Sequence, residues 1–200
     1  MKFLSIKLFV IALIMSVASS ASASLSYDVA VDTSRLEGTA GYLYFQYGGI
    51  NAIDSTATVS GFTGGTLDSA ISLEVADGSA VTGQLPGTVV FANTHGINDY
   101  NHGILFGNDL ALKISLAAPA FGGTEGGNST ISLALFADEL GASPLLTSDG
   151  TLFTIDLFND GTTSVAVLAS EANVAPVPVP AAAWLLGSGL VGLAGIRRRK

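Results

Sequence analysis

Apolar side chains recur at every second position through much of the middle of this chain, and turn-forming residues interrupt them about every ten positions. Leu110, Leu112, Ile114 and Leu116 stand on one side of an extended segment, with Lys113 and Ser115 on the other. Ile131, Leu133 and Leu135 repeat the pattern around Ser132, and Phe153, Ile155 and Leu157 alternate with Thr154 and Asp156. Successive side chains of a strand point to opposite faces, so this spacing dictates strands with one buried side. A helix would need an apolar stripe with a period of about 3.6 residues, and no part of the middle sustains one. The expectation is an all-β fold, a single antiparallel β-sandwich of jelly-roll-like form.

Further strands are expected over residues 25–31, 41–47, 52–62, 66–75, 80–85 and 88–92. Gly64-Gly65, Asp77-Gly78 and Pro86-Gly87 punctuate them, because glycine reaches turn conformations that other residues resist. Asn159-Asp160-Gly161 turns the chain into a last hairpin strand over 163–168. One helical turn is expected around 137–141. Residues 93–103 are polar and contain glycine, so they read as a loop. Residues 171–177 read as a linker.

The ends differ from the middle. Lys2 and Lys7 precede an apolar run over 8–17 in which only Ser16 is polar, and Ala21-Ser22-Ala23 supplies small residues. This is the pattern of a secretory signal peptide over 1–23, cut between Ala23 and Ser24. A retained transmembrane helix is the alternative, and the run is short for one. At the other end Pro176-Val177-Pro178-Val179-Pro180 leads into an unbroken apolar stretch over 181–196, closed by Arg197, Arg198, Arg199 and Lys200. A span usually needs about 20 apolar residues, so this is a thin transmembrane helix. The basic cluster stays on the cytoplasmic side as its stop, which leaves the body outside the inner membrane. Ser188 and Gly192 make a small-residue pair that either admits another helix or keeps the segment weakly hydrophobic. The domain plan is thus a signal peptide over 1–23, a sandwich body over 24–170, linker and proline motif over 171–180, a transmembrane helix over 181–196 and a basic tail over 197–200.

All 16 acidic residues fall between Asp28 and Glu171, where the basic residues are Arg35 and Lys113 alone. The body therefore carries a net charge of about −14 with its histidines neutral, which repels the phosphates of nucleic acid. Either solubility or attraction of divalent cations follows from that charge. There is no cysteine, so the exported domain holds together by packing, and thiol catalysis and thiolate metal sites are excluded.

Val177, Pro178, Val179, Pro180 and Ala181, followed by Trp184-Leu185-Leu186-Gly187-Ser188-Gly189-Leu190 and the terminal arginines, resemble the PEP-CTERM sorting signal in its Val-Pro-Xaa-Pro-Ala variant. Val179 departs from that pattern, which usually has Leu there. The resemblance implies recognition in the inner membrane by an exosortase, processing near the prolines, and delivery to the cell surface or extracellular polysaccharide matrix of a Gram-negative bacterium. Val31-Asp32-Thr33-Ser34, Gly38-Thr39, the segment over 41–46, Asn98-Asp99-Tyr100 and Pro144-Leu145-Leu146 are also similar to a small group of PEP-CTERM proteins of unknown function. That second resemblance implies a shared domain and no activity.

Few residues carry chemistry. His95 and His102 are the two histidines, with Asp99 between them. Imidazoles and a carboxylate can hold a transition metal, but the seven-residue spacing fits no standard ligand motif, so no metal is assigned. A polar loop accounts for the same residues. No serine lies in a Gly-Xaa-Ser-Xaa-Gly elbow, and no acidic pair carries a glycosidase signature. The glycine-rich segment over 122–128 lacks the Lys-Ser/Thr ending of a phosphate loop. Loop carboxylates such as Asp77 or Asp160 could hold calcium, without a twelve-residue motif to support it. Tyr42 and Tyr44 share one strand face, where they either stack on sugar rings or pack across strands. The expected role is a non-enzymatic, exosortase-processed surface or matrix protein associated with exopolysaccharide. A carbohydrate-binding module is the first alternative and a secreted hydrolase the second.

Overall fold

Tyr27, Val29 and Val31 are buried, while Asp28, Ala30 and Asp32 between them face solvent. That alternation sets the register of the first strand and, through its neighbours, of the whole fold. The computed structural model describes residues 25–72, 80–93, 96–119, 122 and 126–177. The signal peptide, the Ala23–Ser24 bond, His95, Asp77, residues 178–180 of the proline motif, the apolar stretch from Ala181 and the cluster Arg197 to Lys200 lie outside them.

Among the described residues twelve strands follow in chain order. They are β1 (Leu25–Asp32), β2 (Ala40–Ile50), β3 (Thr56–Thr63), β4 (Thr66–Ser72), β5 (Val81–Gly83), β6 (Val89–Ala92), β7 (Ile97–Leu105), β8 (Asp109–Ala117), β9 (Asn128–Phe136), β10 (Thr151–Phe158), β11 (Thr163–Val167) and β12 (Ala172–Pro176). One sheet has the order β12-β1-β8-β3-β6-β5, the other β11-β10-β9-β2-β7-β4. Every pairing is antiparallel. Among the described residues the sole helical element is a single 3-10 turn, Ser34–Leu36. The protein is all-β, with its two sheets packed as a sandwich.

The buried faces meet in one core. Leu110, Leu112, Ile114 and Leu116 enter it from β8, Ile131, Leu133 and Leu135 from β9, and Leu43, Phe45 and Tyr47 from β2. Tyr47, Tyr100 and Phe91 pack edge-to-face, Phe91 lying 6.4 Å by ring centroid from each tyrosine. At such spacings aromatic pairs add roughly 0.5–1.5 kcal/mol beyond the area they bury.

Two irregularities reset the alternation. In β3 the register shifts between Ser60 and Thr63, and Gly61 sits there at φ +64°. The extra residue turns Phe62 inward, where strict alternation would put residue 61. In β10 the shift between Thr151 and Phe153 lets Leu152 and Phe153 both point into the core.

Two local expectations are corrected. Residues 97–103, read as part of a polar loop, belong to β7, paired on both edges by β2 and β4. Residues 172–176, read as linker, form β12, which extends the sheet beside β1. Around 137–141 the chain makes a single hydrogen-bonded turn, Gly141 N–H donating to the Asp138 carbonyl at 3.3 Å, and does not continue as a helix. The Asp138 carboxylate collects the backbone N–H groups of Leu140 (3.0 Å), Ala142 (3.1 Å) and Ser143 (2.6 Å).

Candidate ligand-binding face

Strands β7, β2, β9 and β10 lie side by side, and their pairing fixes which side chains share the outer face. Gln46 stands opposite Asp99 on one side and Ser132 on the other. Gly48 stands opposite Thr130, which is itself opposite Asp156. Phe158 stands opposite Asn128. Leu43, Phe45 and Tyr47 of β2 and Ile131, Leu133 and Leu135 of β9 go inward, so Gln46, Asn128, Thr130, Ser132 and Asp156 fall on the outer face, with Phe158 at its end.

Hydrogen bonds hold this layer in place. Gln46 Nε2 donates to Asp99 Oδ1 at 2.9 Å. Asp156 Oδ1 accepts from Thr130 Oγ1 at 2.5 Å and from Asn128 Nδ2 at 3.2 Å. Neutral donors thus help to orient both carboxylates.

A groove of about 350 Å³ opens on this face, lined by Gln46, Gly48, Gly49, Ile97, Asn128, Thr130 and Ser132 with Gly96. Backbone crowding makes the trough. A Cβ at Gly48 would stand 2.6 Å from the Gly96 carbonyl oxygen and 2.9 Å from Ile97 Cα, closer than packed atoms tolerate. The strand passes there without a side chain, and Ile97, 56 % exposed, forms an apolar rim. A groove with hydroxyl and amide groups on its floor, Thr130 and Asn128 being held from beside it by Asp156, and one apolar wall can hydrogen-bond a polyhydroxylated ligand while covering part of its carbon skeleton.

Tyr42 and Tyr44 lie on the same outer face, and their surroundings differ. The Tyr44 hydroxyl donates to the Glu139 carbonyl, and its ring meets Phe136 edge-on at 4.9 Å. Tyr44 thus fastens β2 to the turn at Asp138. Tyr42 lines a second groove, of about 280 Å³, with Asp68, Thr66 and Gly103.

Asp99 and His102 are parted by the strand itself. Asp99 faces outward, and His102, 1 % exposed, faces the core. The His102 Nε2 is 2.7 Å from the Asp68 carbonyl oxygen, which can only accept, so Nε2 carries the hydrogen. Its Nδ1 is 2.7 Å from the Tyr100 hydroxyl, which also accepts from Leu85 N–H at 2.9 Å. Burial raises the Tyr100 pKa, an effect partly offset by that N–H. The phenol keeps its hydrogen and gives it to Nδ1. This closed chain joins β4, β7 and the 84–88 turn, and it accounts for His102 as a structural residue. Among the described residues no group of three or more potential ligands is placed to hold a metal ion.

The sequence reading missed Gln46, Asn128, Thr130, Ser132 and Asp156. Their signal was there: each is the polar partner in an alternating strand, and every one of those strands faces its polar side the same way once paired. Comparison with protein-family models, curated proteins and solved structures finds no match to this chain.

Proposed function

We propose that this chain is an exported, non-enzymatic surface or matrix protein, processed by an exosortase at its proline motif after transient anchoring in the inner membrane. The observation that carries the reading is the way the body meets the tail. Strand β12 pairs with β1 through Tyr27 and Pro176, and Val177 N–H donates to the Ser26 carbonyl at 2.8 Å. The first residue of the proline motif therefore leaves the sheet edge beside the first residues of the body. Both membrane-directed segments issue from one pole, which suits a domain carried out behind a signal peptide and then held by its carboxyl end. The strand order, with β1-β8-β3-β6 facing β9-β2-β7-β4, supports a jelly-roll winding for the body. The test is removal of residues 178–200, which spares every bond of β12. Release of an unprocessed body into periplasm or medium is expected, and unchanged fractionation refutes the reading.

A second reading, a carbohydrate-binding module, is favoured by the groove over Gly48. The expected ligand is a neutral hydroxyl-rich polymer, because a body of about −14 repels polyanions. Thr130→Val and Asp156→Asn should each weaken binding about tenfold, near 1.4 kcal/mol, with calorimetric titration of neutral polysaccharides as the measurement. Affinity that both variants leave unaltered refutes this site.

A further inference from the structure

Open sheets end in strands with one unpaired backbone edge, and each such edge is a template for another strand. Among the described residues there are four: β12, β5, β11 and β4. Three carry guards. Strand β12 ends in Pro176, which has no N–H to offer. Strand β5 is 3 residues long and ends in Gly83. Strand β4 carries Asp68 and a register shift between Leu67 and Ile71.

Strand β11 has none of these. Its sequence, Thr163-Ser164-Val165-Ala166-Val167, is free of charge, proline and glycine, and Leu168 continues it. Residues 164–168 are all exposed. Val165 and Val167 stand opposite Ile155 and Phe153 and so face the core side of the sheet, yet they remain 37 % and 46 % exposed. The facing sheet covers them only in part.

The backbone phase of β11 follows from its two flanking bonds. Phe158 N–H donates to the Thr162 carbonyl, and Leu168 N–H donates to the Leu152 carbonyl. In an antiparallel ladder the bonded residues alternate, so residues 162, 164, 166 and 168 bond inward to β10. Thr163, Val165 and Val167 then aim their N–H and C=O groups outward.

We propose that β11 is a self-pairing edge, joining two copies of this chain antiparallel about a two-fold axis through Val165. The outward groups are self-complementary in that arrangement. Val165 exchanges both its backbone bonds with Val165 of the second copy, and Thr163 exchanges both with Val167. The valines left partly uncovered in one copy meet those of the other. Charge does not oppose contact at this edge. Two bodies of about −14 repel one another, and the segment 161–170 is a stretch without an ionisable side chain through which they can approach. A closed two-fold contact also limits growth, because each copy then has no second β11 to offer.

The test uses protein isolated from its cells. Val165→Pro removes only an outward N–H and keeps the bonds to β10, while Val165→Lys adds a charge at the axis and keeps the backbone. In sedimentation experiments the wild-type mass should double across a concentration series, and both variants should stay monomeric with wild-type circular dichroism. The chain has no native cysteine, so a nitroxide on Val165→Cys reports the axis directly, and one short label-to-label distance is expected in the dimer. A wild-type protein that stays monomeric overturns the proposal. So does a dimer that survives in both variants, or a foreign polypeptide bound along β11 in place of the second copy.

Discussion

Tyr100→Phe removes one oxygen atom, and its expected cost exceeds that of a single hydrogen bond. The hydroxyl accepts from Leu85 N–H at 2.9 Å and pairs with His102 Nδ1 at 2.7 Å. Leu85 and His102 are 2 % and 1 % exposed, so water cannot replace the lost partner. Each buried group left unpartnered costs about 1–3 kcal/mol, which gives about 2–6 kcal/mol for the pair. For a domain of this size each kcal/mol moves Tm by roughly 2–4 °C, so a fall of about 4–24 °C is expected. Urea titration of the purified protein should show the midpoint falling with its slope unchanged. The partner substitution sharpens the test. His102→Leu in the Tyr100→Phe background should cost less than the two changes summed, because the first already orphans the imidazole. A Tyr100→Phe loss below about 0.5 kcal/mol, typical of a substitution away from any such feature, would refute the closed chain and with it the structural role assigned to His102.

Acid should unfold the body through four carboxylates. Hydrogen bonds hold the pKa of Asp138 (first from Ala142 N–H), Asp32 (from Ser34), Asp160 (from Thr162) and Glu171 (from Ser170) below the ordinary range. Below about pH 5 the unfolded chain binds more protons than the folded one, so the stabilisation is complete above that pH and is lost as pH falls through the lowered values. Thermal melts from pH 6 to pH 2 should decline monotonically, and a flat profile contradicts this. In alkali the sign reverses: burial raises the pKa of Tyr47 and Tyr100, so stability should hold up to about pH 10 and fall above it. Gly61→Ala meets no atom within 4 Å and should cost only the left-handed backbone penalty of roughly 1–2 kcal/mol, measured by urea titration; a neutral result would remove the case for the bulge. Asp138→Ala frees three backbone N–H groups in an exposed turn, so limited proteolysis should nick 137–143 faster than in the parent, and equal rates would contradict the anchoring role.

The fold class was legible because β8, β9 and β10 alternate cleanly, and the turn at Asn159-Asp160-Gly161 joins β10 to β11 as its residues suggest. What hid the rest was tertiary hydrogen bonding. The segment 97–103 has polar residues on both faces, which composition assigns to a loop. In the fold Asn98 Nδ2 donates to the Tyr47 and Ala92 carbonyls, and His102 is closed off by Tyr100 and Asp68, so a strand buries them without solvent. Strand β12 was read as linker because alanine and proline form weak strands; it pairs because it is an edge, where Pro176 leaves the ladder at its last residue. The outer face behaved the same way. Each polar residue was visible, but only register brings Gln46, Thr130 and Asp156 together, and register depends on the bulges at Gly61 and Leu152.

The central claim is that the tail is an address, removed once the body has crossed the inner membrane. Intact-mass measurement of the protein recovered from surface and matrix fractions of its own cells tests this most directly. The expected species begins at Ser24 and ends within residues 177–181. A soluble cytosolic species that retains Lys200, with no shortened form outside the inner membrane, would contradict it.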